Sequence, residues 1–129
     1  MILLDTHVLV WLEQEPRKLS RVAEAAIRRA RSSSTLAVSA ITIVELGALL
    51  NRGRLRSTAA TEATIHRYLE EILVLPLTHA IAVESSYMPV DVLPDPMDRI
   101  IAATARSEGI ALVTADQRVQ NCTFLKTIW

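Results

Sequence analysis

The stretch DPMDRIIAATARSEGIALVTAD, residues 95–116, limits what this chain can fold into more than any other. It spells a helix, a turn and a strand. Asp95 is placed to cap the helix, and Pro96 suits its first turn because the N–H that proline lacks would be unpaired there anyway. Met97, Ile100, Ile101, Thr104 and Ala105 recur at helical spacing, which predicts one buried face. Gly109 tolerates positive φ and ends the helix. Ile110 to Val113 is an apolar run of strand length, closed by Thr114, Ala115 and Asp116. Helix side chains tilt toward the N-terminus, so Asp98, in the first turn, points back to the helix start. In a right-handed αβ unit that start and the far end of a sheet strand share an edge, the edge at which open α/β sheets bind ligands. The stretch therefore predicts an acidic site.

The rest of the chain supplies the sheet. Met1 to Leu4 is hydrophobic on both faces, which predicts a strand covered on both sides, and it ends on Asp5. Val8, Leu9, Trp11 and Leu12 predict a short helix, and residues 13–18 a polar loop. Ser20 is the expected cap of a helix from Arg21 to about Arg31, with Val22, Ala26, Ile27 and Ala30 inward. Leu36 to Val38 is a second strand, and Ser39 is placed to cap a helix over Ala40 to Asn51. That helix is apolar almost all round, which predicts burial between layers. Glu45 is its only charge, and a carboxylate in such surroundings is costly unless paired, neutralised or metal-bound. Gly53 ends it. A more polar helix over about 58–72, a strand over 73–77 and a short helix over 78–87 follow. Residues 88–94 read as irregular, 117–121 as one helical turn, and 123–128 as an edge strand. No repeat, low-complexity tract or linker interrupts this alternation, so residues 1–129 are expected to form one α/β domain with a mainly parallel sheet.

Four acids stand out by placement. Asp5 ends a strand, Glu45 lies within an apolar helix, Asp98 opens a helix and Asp116 follows a strand. Two of them are expected at the carboxyl edge of the sheet, and the other two on helices that start there. No Cys/His set has zinc spacing, no Gly-rich loop is present to cradle phosphates, and there is no G-x-S-x-G. Clustered carboxylates without histidine ligands suit Mg²⁺ or Mn²⁺, which prefer oxygen. Without a cation, like charges in one crevice raise some of their pKa values.

Each of these residues also has an ordinary reading. A single aspartate after a strand is usually a turn or cap residue, and Asp98 alone would complement a helix dipole. Thr6 and Thr114, each beside an acid, either orient a carboxylate or cap a turn. Arg99 is placed to pair with a neighbouring acid. His7, His66 and His79 read as surface or core residues, and the arginine runs at 28–31 and 52–56 as solvated faces. Glu45 is hardest to dismiss, since no basic residue lies near it on its helix face.

Composition narrows the partners. The formal net charge is zero and the pI about 6.8, which excludes a general basic coat for nucleic acid but not a local basic patch. Aromatic residues make up 4%, which argues against a base-stacking platform. Cys122 is the only cysteine, so no internal disulfide is possible and a reducing cytoplasm is expected. The first residues lack the basic start of a signal peptide. No apolar run approaches the roughly 20 residues of a membrane span.

Taken together, LLDTH at 3–7, VSAITIVELGALLNRGRL at 38–55, DPMDRIIAATA at 95–105 and LVTAD at 112–116 resemble the ordered motifs of PIN-domain ribonucleases, and most of all the VapC-type toxins of toxin–antitoxin pairs. The resemblance covers nearly the whole chain. It implies a PIN-like three-layer α/β/α fold around a central, mainly parallel sheet. It also implies Mg²⁺- or Mn²⁺-dependent RNA cleavage leaving 5′-phosphate and 3′-hydroxyl ends, frequent homodimers, and neutralisation by a co-encoded antitoxin. By the same resemblance the metal-binding acids are Asp5, Glu45, Asp98 and Asp116, and Thr114 is the hydroxyl residue beside the last of them. Arg99 and the arginines at 52–56 are then candidates for RNA backbone contacts. Two positions depart from many relatives: Val44 stands where a tryptophan precedes the helical glutamate, and Leu49 where some carry a lysine. An inactive PIN-like interaction module is the competing expectation, disfavoured because such a module need not keep four buried like charges. A phosphoacceptor receiver domain shares the layout but would want an aspartate after the central strand, and the third strand leads instead to Thr78.

Overall fold

The computed structural model describes residues 1–129. Its elements are β1 (Ile2–Leu4), α1 (Thr6–Gln14), α2 (Arg21–Ser32), β2 (Leu36–Ser39), α3 (Ala40–Asn51), α4 (Thr61–Tyr68), β3 (Leu73–Leu75), α5 (His79–Ser86), α6 (Pro96–Ser107), β4 (Ala111–Val113), α7 (Gln117–Gln120) and β5 (Thr127–Ile128). The strands form one sheet in the order β3-β2-β1-β4-β5, every pair parallel. Leu3 stands opposite Ala37 and Leu112, and Leu4 opposite Val38 and Val113. Because side chains alternate along a strand, these two rows feed two cores. Leu4, Val38 and Val113 join Val8, Leu9, Ile27, Leu46 and Tyr68 on one face. Leu3, Ala37 and Leu112 join Ile81, Leu93 and Ile101 on the other. The result is helix, sheet, helix, with β2 wholly buried and β1 and β4 buried beyond their first residues, as their unbroken hydrophobicity implied.

The chain lays β1, β2 and β3 in one direction across the sheet. It then returns through α5 and α6 to place β4 on the other side of β1. The strand order therefore reverses at β1 and β4, and such switch points leave a crevice at the carboxyl ends of the two strands. Asp5 and Asp116 are the residues that leave those ends.

Helix ends follow local chemistry. The Ser20 hydroxyl accepts from Ala23 N–H at 3.0 Å, Thr78 from Ile81 N–H at 3.2 Å, and the Asp95 carboxylate from Met97 N–H at 2.8 Å. Gly109 takes φ of 65° and lets Ile110 N–H turn back to Ala105 O at 3.0 Å. Several expectations are corrected. Helix α1 begins at Thr6 and reaches Gln14, because the β-region backbone of Asp5 already serves as its N-cap. In α2 it is Ala23, Ile27 and Ala30 that are buried, while Val22 is 60% exposed. The stripe at i, i+4 and i+7 decides which face turns inward, and a single large hydrophobe does not override it. Helix α4 is shorter than expected, and β5 is confined to two residues. Helix α3 keeps its expected bounds but is not buried all round. Only Thr42 and Leu46 are, and Val44 is 53% exposed. It touches α1, α4, α6 and β2, and most of its other residues are partly buried. No helix is long and apolar enough to cross a membrane.

Candidate metal centre

Asp5 leaves β1 with its N–H bonded to Val113 O at 3.0 Å, which ties the site to the adjacent strand. Its carboxylate makes no capping bond to α1 and instead accepts from the buried Thr114 hydroxyl at 2.7 Å. The same Thr114 oxygen accepts from Asp116 N–H at 3.1 Å, so one side chain sets the positions of two acids. Asp116 caps α7 through Arg118 N–H at 2.8 Å and also receives the Arg118 guanidinium, Nη2 at 2.6 Å and Nε at 3.1 Å. That pairing holds its carboxyl below the usual range. Asp98 enters from the first turn of α6. Asp5, Asp98 and Asp116 line one cavity of about 310 Å³ together with His7, Trp11, Ala115 and Arg118.

Glu45 lines a neighbouring cavity of about 270 Å³ with Thr6, His7, Asp95 and Arg52 among others. It accepts a short hydrogen bond from the buried Thr6 hydroxyl, which lies 3.2 Å from that of Thr42. Burial pushes the Glu45 carboxyl up, the Thr6 bond opposes this, and the charges of Asp5 and Asp98 add to it. Glu45 is thus close enough to feel two acids of the first cavity, and His7 lines both spaces. Arg99 lines neither cavity and pairs with no acid. Its Nη1 donates to Leu93 O and Pro94 O at 2.8 and 2.9 Å, which ties the incoming loop to the start of α6.

The electrostatics mark an uncompensated site. None of the ion pairs in the structure involves Asp5, Glu45 or Asp98. The Asp98 carboxyl is pushed up to about 6, first by burial and then by Asp5, Asp95 and Asp116, with Arg118 opposing. A carboxyl raised this way holds its proton to higher pH in the folded chain than in the unfolded one. Its stabilising contribution is full below the ordinary value of 3.8 and is lost as pH rises through about 6. Metal-free melts from about pH 4 to about pH 7.5 are therefore expected to show a declining midpoint over that window; a midpoint that climbs steadily through pH 6 would contradict the assignment.

No group of three or more His, Cys, Asp and Glu side chains is arranged to hold a metal ion. Asp116 is paired with Arg118, and Glu45 accepts from Thr6. The donor set itself is all oxygen, clustered and without a cation on Asp5 or Asp98, which fits a hard divalent ion such as Mg²⁺ or Mn²⁺ and not zinc. His7, Trp11 and Arg118 complete the crevice and were not anticipated as site residues. His7 and Trp11 are four apart on the helix that Asp5 opens, and Arg118 is two past Asp116; these spacings were the available signal.

The PIN domain family model matches residues 2–125, and the chain belongs to the PIN-domain family. Within it, the chain is similar to the VapC proteins. It is 34% identical to Ribonuclease VapC22 of Mycobacterium tuberculosis over 120 residues, 93% of this chain and 90% of that one. Among solved structures it is similar to VapBC2 from Rickettsia felis bound to a DNA fragment from their promoter, with a TM-score of 0.74, 16% identity, and coverage of 98% of this chain and 97% of the other. It is likewise similar to DNA-bound VapBC from Salmonella typhimurium, with a TM-score of 0.72, 19% identity, and coverage of 98% and 95%. At these identities the structures speak for the fold, a central parallel sheet between helices.

Proposed function

We propose that this chain is a divalent-metal-dependent endoribonuclease acting in the cytoplasm as the toxin of a toxin–antitoxin pair. The observation that carries the reading is the convergence of Asp5, Asp98 and Asp116, from three separate elements, on one cavity at the strand switch point, with Glu45 beside it. The relative at 34% identity, a ribonuclease, supports the RNA substrate, and the fold shared with a toxin-antitoxin complex from Klebsiella pneumoniae supports an antitoxin partner. Asp5, Glu45, Asp98 and Asp116 would hold the Mg²⁺ or Mn²⁺. When bound, such an ion supplies a lowered pKa for an attacking water and neutralises charge on the scissile phosphate. The chain's own part is positional. Thr114 fixes Asp5, Thr6 fixes Glu45, and Arg99 sets the loop that delivers Asp98. Asp116, held against Arg118, would share its carboxylate between that pairing and the ion.

Purified protein freed of antitoxin is expected to cleave RNA in Mg²⁺ or Mn²⁺ and to stop on addition of EDTA. Undiminished cleavage in EDTA would overturn the metal mechanism. The absence of a preformed cage favours a second reading, an inactive interaction module, and no cleavage of any RNA in either metal would select it.

Val44 is exposed on α3, and Val83, Tyr87 and Val90 are exposed on and after α5. Contiguous apolar exposure marks interaction surfaces. We assign these to a homodimer and to antitoxin contact. Sedimentation of the chain alone should show twice the 14.3 kDa protomer mass, and a monomer at every concentration would count against the dimer.

A further inference from the structure

Of the chain's two tryptophans, Trp11 lines the acidic crevice, and Trp129, packed against the core, stands behind it. Helix α1 turns Val8 and Leu9 into the core, with Val10 and Leu12 packed against it, but Trp11 is not among the residues that build or cover that core. It lines the cavity of Asp5, Asp98 and Asp116 instead, and it is only partly buried. Its ring meets His7 with centroids 6.5 Å apart and Trp129 at 6.0 Å, both tilted, and Lys18 Nζ stands 5.5 Å from its centroid. Trp129 is there because all strands are parallel: the residue after β5 leaves the sheet at the same carboxyl edge as Asp5 and Asp116. Core packing does not explain an indole placed on the rim of a polar crevice.

On the reading that the crevice cleaves RNA, we propose that Trp11 is the stacking platform of a nucleotide subsite, holding an unpaired base of single-stranded RNA next to the phosphate at the carboxylates. Trp11 is six residues beyond Asp5 on the helix that Asp5 opens, about 9 Å along its axis. The cavity of about 310 Å³ has the size of a small-ligand site. Its wall carries an aromatic face for the base and the Arg118 guanidinium, which is paired with Asp116, beside it. Stacking on an aromatic ring accepts every base, since each has a π-face, so this subsite favours unpaired RNA over duplex without choosing a sequence. One indole at this position suffices for such a subsite even in a chain with few aromatic residues.

The test uses the full chain carrying Trp129→Phe, which leaves Trp11 as the only indole. Titration with a short mixed-sequence single-stranded RNA is expected to quench its fluorescence saturably, and the blunt duplex of the same sequence to leave it unchanged. In the otherwise unaltered chain, Trp11→Ala is expected to raise KM for RNA cleavage roughly tenfold with kcat little changed, and Trp11→Phe to restore most of the loss. A residue that only packed the sheet edge would alter the melting temperature and not split KM from kcat. If labelled RNA binds and is cleaved while Trp11 emission does not move and Trp11→Ala keeps its KM, the platform is overturned and the nuclease reading stands. If RNA is neither bound nor cleaved, both are overturned.

Discussion

Asp98→Asn is expected to lower metal-dependent RNA cleavage by roughly a thousandfold, on the scale of the several kcal/mol that a bound divalent ion contributes to a transition state. The same substitution is expected to leave the metal-free melting temperature unchanged or raised. Asp98 is partly buried among Asp5, Asp95 and Asp116 with no ion-pair partner, so removing its charge relieves repulsion. Asp95→Ala should do the opposite. Asp95 precedes proline, which bars it from helical conformation, and its carboxylate is bonded to Met97 N–H at 2.8 Å. Its loss should cost about 0.5–2 kcal/mol of stability, as cap removal does, and leave most of the cleavage. Melts in EDTA and cleavage in Mn²⁺ on both variants decide the matter. A dead Asp95→Ala beside an active, less stable Asp98→Asn would reverse the assignment.

The second large effect concerns Asp5. Expression of the chain without an antitoxin is expected to arrest growth, and Asp5→Asn to abolish the arrest while the fold survives. Asparagine keeps the shape and can still accept from Thr114, whose hydroxyl bonds the carboxylate at 2.7 Å. It gives up the charge that a hard cation requires. Growth arrest by Asp5→Asn equal to that of the unaltered chain, at equal protein level and with full RNA cleavage, would remove Asp5 from the site.

Much of this was legible in the residues because it is local. Pro96 and Gly109 bound α6, Ser39 opens α3 at the expected residue, and the apolar run before Asp5 could only be a covered strand. Asp5, Asp98 and Asp116 stood out because each lies at the end of a strand or the start of a helix, and Glu45 because it is the only charge in α3. What was not legible depends on contacts far apart in the chain. Thr114 bonds Asp5 across 109 positions, and Thr6 bonds Glu45 across 39. Neither threonine could be told from a turn cap by its neighbours alone. The exposed side of α3 was misread because apolar content does not say whether a neighbour covers it. Composition likewise counts rings but does not say that β5 brings Trp129 up to Trp11. Arg99 looked like a charge in search of an acid, and its partners are two backbone carbonyls of the loop before it.

The central claim is that Asp98 and its neighbours form a divalent-metal site. It is tested most directly by titrating the full chain with Mn²⁺ and following the free ion by electron paramagnetic resonance. The account predicts a saturable site in the unaltered chain that weakens at least about tenfold in Asp98→Asn, since one hard oxygen donor and its charge are lost. Equal Mn²⁺ binding by the two proteins, or none by either under conditions in which RNA is cleaved, would contradict it.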